Sequence, residues 1–315
     1  MAGSRIAVYG AIGANVAIAV TKFVVAGVTG SAAMASEGIH SAVDTGNGLL
    51  LLVGTRLSER EPSIEHPFGH GKELYFWSLI VAVLIFGLGG GLSAYEGFQR
   101  VMHPEPMKSV GWNYVVLAAA AVFEGTSLTI ALRQFLREKG TRPFWEALHG
   151  SKDPTTYTVL AEDSAAIAGL VLAAVGVFVS DRFGVPAADG IASMAIGVLL
   201  AFTAVLLVRE ARGLLIGEGL RPDTLVAIRG MVTADPLVRR VGRILSMYIG
   251  PDEVLLAFDV QFTPEAPATE VAAAVTRLED EIRARYPRIS RIYIEPRTIE
   301  VTAPLRGASR TPANA

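Results

Sequence analysis

The chain has no cysteine, and its 315 residues include only five histidines and 18% charged side chains. Without cysteine there are no disulfides, thiolate metal sites or cysteine nucleophiles, so any metal ion must be held by His, Asp or Glu. The five histidines, His40, His66, His70, His103 and His149, all lie in the first half of the chain, which excludes an imidazole-based site in the last third. Charge this sparse is wrong for a soluble globule, and a net charge of −2 with a pI near 6.2 gives no general attraction to nucleic acid. In its place the composition is 51% hydrophobic with a mean hydropathy of +0.43. A multi-pass integral membrane protein surrounded by lipid is expected.

A membrane-crossing helix needs about 20 consecutive apolar residues, and six separable runs of that kind precede residue 217. They cover roughly Ile6 to Val28, Ala32 to Val53, Leu74 to Gly97, Trp112 to Leu132, Thr158 to Val179 and Ala187 to Val208, divided by Gly, Pro or charge. The first run is too long for a cleaved signal peptide and lacks its small-residue cleavage site. Arg5, Arg56, Arg60, Lys72, Arg133, Arg137, Lys139, Arg142 and Lys152 fall on one side of the predicted spans, against Arg100, Lys108 and Arg182 on the other. This bias puts both termini in the cytoplasm, and a plasma (inner) membrane is the expected host. Gly87, Gly89, Gly90 and Gly91 form a small-residue strip in the third run, suited to close helix packing, a dimer face or a hinge.

The chain is therefore divided into a six-helix membrane domain, 1–216, a cytoplasmic α+β domain, 217–298, and a disordered tail, 299–315. In the second domain a helix from about Asp223 to Thr233 precedes strands at Arg239 to Ile249 and Glu253 to Phe262. A helix from Ala268 to Arg285 and a strand from Ser290 to Glu295 follow. Alternation in Val254, Leu256, Phe258, Val260 and Phe262 marks a half-buried strand, and antiparallel pairing in a ferredoxin-like unit is expected.

Ionisable groups inside apolar spans are costly to keep, so each is a functional candidate. In the second run Glu37, His40, Asp44 and Asn47 recur at spacings of three and four, which puts them on one helix face. An imidazole and a carboxylate four residues apart can hold one ion, and that mixture suits Zn²⁺, Mn²⁺, Fe²⁺ or Co²⁺ better than Mg²⁺ or Ca²⁺. A structural His–Asp hydrogen bond is the alternative. The fifth run opens with adjacent acids, Glu162 and Asp163, about 100° apart on a helix. At most one would be an ideal ligand, and the other would orient a ligand, line the entry or pair with Lys22, the lone cation of the first run. Glu124 and Glu96 are weaker candidates. In the loop after the second run, His66 and His70 lie beside Glu65 and form a second candidate cation site.

Together, the His40-xxx-Asp44 pair, the Phe68-Gly-His-Gly-Lys72 loop, Asp189-Gly-Ile-Ala-Ser193 at the sixth run and the α+β tail resemble the cation diffusion facilitator family, from about Ile6 to Pro296. The resemblance implies a proton-coupled antiporter, a homodimer, that exports a divalent transition metal from the cytoplasm through a tetrahedral site between the second and fifth spans. His40 and Asp44 fall on the two ligand positions of the second span. The fifth span departs from the usual pattern, because Thr158 and Val159 stand where a companion ligand is expected, and Glu162-Asp163 is similar instead to the zinc transporter nine-like branch. His66 and His70 match two ligand positions of a loop site, with Ser63 at the acid position. Lys72 matches a lysine of a charge network at the dimer junction, with Glu218 as its nearest acid. The histidine-free tail points to dimerisation rather than metal sensing. Zn²⁺ is the expected transported substrate, and no enzyme activity is implied. A membrane receptor or scaffold whose tail recruits a partner is the alternative function.

Overall fold

The computed structural model describes residues 2–141, 143–144 and 154–298. The expected disordered tail, 299–315, and His149 lie outside them. The chain divides into two compact units: Met1–Glu218 with Ile249–Pro251, and Gly219–Tyr248 with Asp252–Ala315.

The first unit is helical: α1 (Ala2–Thr29), α2 (Ala32–Ser58), α3 (Glu73–Leu84), α4 (Leu92–Met102), α5 (Gly111–Lys139), α6 (Pro154–Phe183) and α7 (Ala187–Ile216). Ser31 starts α2 from an extended conformation, and its hydroxyl accepts from the Met34 amide at 3.1 Å, satisfying one of the helix's first free N–H groups. Between α3 and α4 the helix continues as a seven-residue π-helix, Ile85–Gly91, which holds four of this stretch's glycines. Here the small-residue strip packs within the chain. A Cβ on Gly90 would sit 3.1 Å from the Gly197 carbonyl of α7, while one on Gly87 would meet nothing. Further along the same seam Gly97 faces Gly190, and a Cβ on Gly97 would lie 2.5 Å from the Gly190 carbonyl. Only paired glycines let these two backbones approach so closely.

Among the described residues four helices are long and apolar enough to cross a membrane: Glu73–Met102, Gly111–Arg137, Thr156–Phe183 and Ala187–Ile216. Asn15–Thr29 of α1 is a shorter apolar helix. The 27-residue α2 is long enough, but Glu37, His40, Asp44 and Asn47 lower its mean hydropathy. Its inward side is buried against a core that includes Val81, Ala173, Ile196 and Leu200.

The second unit runs α8 (Pro222–Ala234), β1 (Val238–Gly250), β2 (Glu253–Phe262), α9 (Ala268–Arg285) and β3 (Ile289–Pro296). The sheet order is β1-β2-β3. The alternation in β2 is real burial: Val254, Leu256, Phe258, Val260 and Phe262 pack with Ile228 and Val232 of α8 and Ala274, Leu278 and Ile282 of α9. Burying each large side chain of this kind contributes roughly 1.5–3 kcal/mol. The expectation of antiparallel pairing is corrected at β3, which runs parallel to β2 from Val254↔Ile289 to Val260↔Pro296, with a register irregularity after Val254. The reason is the connection. A short turn returns the chain antiparallel, whereas a crossover through an 18-residue helix delivers the next strand in parallel.

Candidate metal centre

Helix α2 carries the polar stripe, and two contacts with α7 fix its position. Asp189 accepts hydrogen bonds from the Ser31 hydroxyl at 2.6 Å and from the backbone amides of Ala32 and Ala33. A carboxylate at this point satisfies the free N–H groups and complements the positive end of the helix dipole. One turn on, the Ser36 and Ser193 hydroxyls lie 2.6 Å apart, and Ser193 donates to the Ser93 carbonyl at 2.8 Å. The Asp189–Ser193 segment is therefore a seam that sets where the stripe faces.

Along the stripe Glu37, His40 and Asn47 are buried, and Asp44 keeps 17% side-chain exposure. His40 Nε2 lies 3.5 Å from Asp44 Oδ2, too far for a good hydrogen bond. His40 Nε2, Asp44 Oδ1 and Asn47 Oδ1 are all buried without a hydrogen-bond partner. Such orphaned atoms are costly in an apolar interior.

The adjacent acids of α6 point to different helices. Asn47 Nδ2 donates to Glu162 Oε1 at 2.9 Å, tying that carboxylate to α2. Ser127 Oγ donates to Asp163 Oδ2 at 2.9 Å, tying the second to α5. Both acids, with Asp44 and Glu124, line one cavity of about 170 Å³. Neither acid reaches Lys22. That expectation is corrected, because Lys22 Nζ donates to Glu37 Oε2 at 3.0 Å and to Ser41 Oγ at 2.8 Å. Lys22 lies level with the first polar turns of α2, while Glu162 lies level with Asn47, ten residues further along that helix.

The structure thus brings together Asp44, Glu162 and Asp163, and adds Glu124. His40 stands beside Asp44 but is not on the cavity wall, and Glu37 faces Lys22. Among the described residues no three His, Asp or Glu side chains converge closely enough to hold an ion. His66 and His70 meet in the loop after α2, with ring centroids 4.6 Å apart. A local turn brings them together: the amides of Ser63 and Gly69 both bond the His66 carbonyl, and Gly69 has φ +88°. Lys72 Nζ donates to the Leu215 carbonyl at 3.4 Å. Ser127 was missed in the sequence, although it lies three residues after Glu124 and therefore on the same helix face.

Long apolar helices around a buried, carboxylate-lined cavity define a helical membrane protein with a polar site inside the bundle. Comparison then places it: the cation efflux transmembrane domain family matches residues 8–216, and the chain belongs to that family. The mitochondrial proton-coupled zinc antiporter SLC30A9 of Xenopus laevis is 37% identical over 237 residues, covering 74% of this chain and 42% of the relative. The human protein of that name is 32% identical over 314 residues, covering 87% and 55%. Metal tolerance protein C4 of Arabidopsis thaliana is 31% identical over 261 residues, covering 82% and 57%. The chain spans about half the length of these relatives. The plasma-membrane placement is overturned by the SLC30A9 relatives, which are mitochondrial by name. Loop charge fixes which way a span faces and carries no information about which membrane holds it.

Proposed function

We propose that the chain is a proton-coupled antiporter that moves a divalent transition metal, Zn²⁺ first, out of the compartment facing its cation-rich loops, in a mitochondrial membrane. The observation that carries this is the cavity shared by Asp44, Glu162 and Asp163, with an orphaned Asp44 oxygen in its wall and the unpartnered His40 Nε2 beside Asp44. The names of the relatives support zinc and proton coupling for them, and family membership supports extending both to this chain. In this reading α1, α2, the joined α3–α4, α5, α6 and α7 are the six spans of domain 1–216. Residues 217–298 form a ferredoxin-like domain that holds a homodimer together.

The ligand set is His40 and Asp44 with Glu162 or Asp163, and His66 with His70 is a loop stop for the same ion. Metal binds the deprotonated forms of these groups, so each arriving ion displaces protons and each arriving proton weakens metal binding. A turn of the bundle then exposes the site on the other side. No substrate bond is made or broken. A largely carboxylate set is oxygen-rich, so Mn²⁺, Fe²⁺ and Co²⁺ are tolerated alongside Zn²⁺. A receptor or scaffold has no use for a cavity walled by four acids, one of them with an orphaned oxygen.

The test is purified protein in vesicles with a pH-sensitive dye inside. Zinc added outside is expected to drive proton movement in the opposite direction. No zinc-dependent proton flux from a folded preparation would overturn the reading.

A further inference from the structure

The cavity has a deep end. On α2 its wall runs from Leu51 through Gly48 and Asp44 to Ser41, and on α1 from Asn15 to Ile18. It stops there, because the next inward residue on that face of α1 is Lys22. Lys22 is fully buried, and its ammonium holds Glu37 and Ser41 at 3.0 and 2.8 Å. Ser41 therefore belongs to both the cavity wall and the ion pair.

Glu37 is also fully buried, and its second oxygen, Oε1, has no hydrogen-bond partner. That oxygen faces Gly169 of α6, where a Cβ would lie 2.5 Å from it. One pair of opposite charges thus joins α1 and α2 against α6, directly behind the carboxylates. A buried pair of this kind is a poor source of stability, since the cost of removing both charges from water offsets their attraction. Ionisable pairs inside a bilayer mark pathways more often than they serve as glue.

We infer that the Lys22–Glu37 pair is the seal at the deep end of the transport cavity, and that it opens for the ion to leave. This inference rests on the transport reading above. While the pair is closed, the Lys22 ammonium repels a divalent cation held by Asp44 and the α6 acids, and keeps it from advancing. When the pair parts, Glu37 has two free carboxylate oxygens and is the next ligand on the way out. Lys22 acts on the ion through charge and position and does not ligate it.

The test measures zinc flux and proton flux side by side in vesicles containing the purified chain. Replacing both members, Lys22→Met with Glu37→Met, removes the seal without stranding a charge. This variant is expected to pass zinc with no pH gradient at least about fivefold faster than the parent, and with fewer protons per zinc. Ser41→Ala removes one anchor of the ammonium and is expected to shift the ratio in the same direction by a smaller factor, while Lys22→Arg keeps the parental ratio. If the double variant and Ser41→Ala are folded and both show the parental zinc flux without a pH gradient and the parental proton-to-zinc ratio, the pair is only packing and the inference is overturned. A parent chain that moves no protons with zinc would instead refute the transport reading, so the two failures are distinguishable.

Discussion

Asn47 on α2 donates its side-chain amide to Glu162 on α6 at 2.9 Å, and both residues are buried. The bond joins the two helices that carry the candidate ligands, and it holds one of two chemically similar acids toward Asp44 while its neighbour turns toward α5. Asn47→Ala should leave the Glu162 carboxylate without its donor. Residues that orient a ligand typically change metal affinity by about 10–100-fold when lost. The zinc KM should rise by about tenfold with a smaller change in kcat, and an unchanged KM would show that Asn47 is packing alone.

His40→Ala and Asp44→Ala should each abolish zinc-driven proton flux while leaving a folded protein, because neither side chain makes a good hydrogen bond in the structure. Asp44→Asn keeps the shape and removes the charge, and should give the same loss. Parental transport in any of the three would move the site away from α2.

Glu162→Gln and Asp163→Asn should differ. Glu162 is held toward α2 and Asp163 toward Ser127, so the first should eliminate zinc binding and the second should mainly shift the pH profile of transport. Ser127→Ala should follow Asp163→Asn in direction with a smaller effect. Titration calorimetry and flux at several pH values check this, and equal, complete retention of flux in both acid variants would remove α6 from the site.

Apparent zinc affinity should rise with pH. Protons and metal compete for His40, Asp44, Glu162 and Asp163, so lowering the pH fills these groups with protons and raises the zinc KM. Flux measured across a pH series at fixed proton gradient reads this directly. A KM that falls on acidification would contradict the proposed ligand chemistry.

A fragment of residues 219–298 should fold without metal. It has its own core of β2 side chains packed on α8 and α9, and it contains no histidine or cysteine. Circular dichroism and zinc titration test this, and a micromolar or tighter zinc isotherm would count against it.

The sequence alone determined what depends on local spacing. Apolar runs separated by Gly, Pro and charge gave the helices, because the bilayer or a buried core sets their length and composition. Three- and four-residue spacing put Glu37, His40, Asp44 and Asn47 on one face of α2, since helix geometry fixes that relation whatever surrounds it. Period-two alternation located β2, and the helix from Ala268 to Arg285 appears as read. The tertiary structure decided how surfaces from distant parts of the chain meet. It turned Glu162 toward Asn47 and Asp163 toward Ser127, a choice the sequence left open because adjacent helical residues differ by a rotation that only the neighbouring helices can orient. Lys22 went to Glu37 rather than to α6, because α1 packs against the first turns of the polar stripe. The parallel β2–β3 pairing and the Gly97–Gly190 contact likewise depend on a crossover and on a close backbone approach between segments about 90 residues apart.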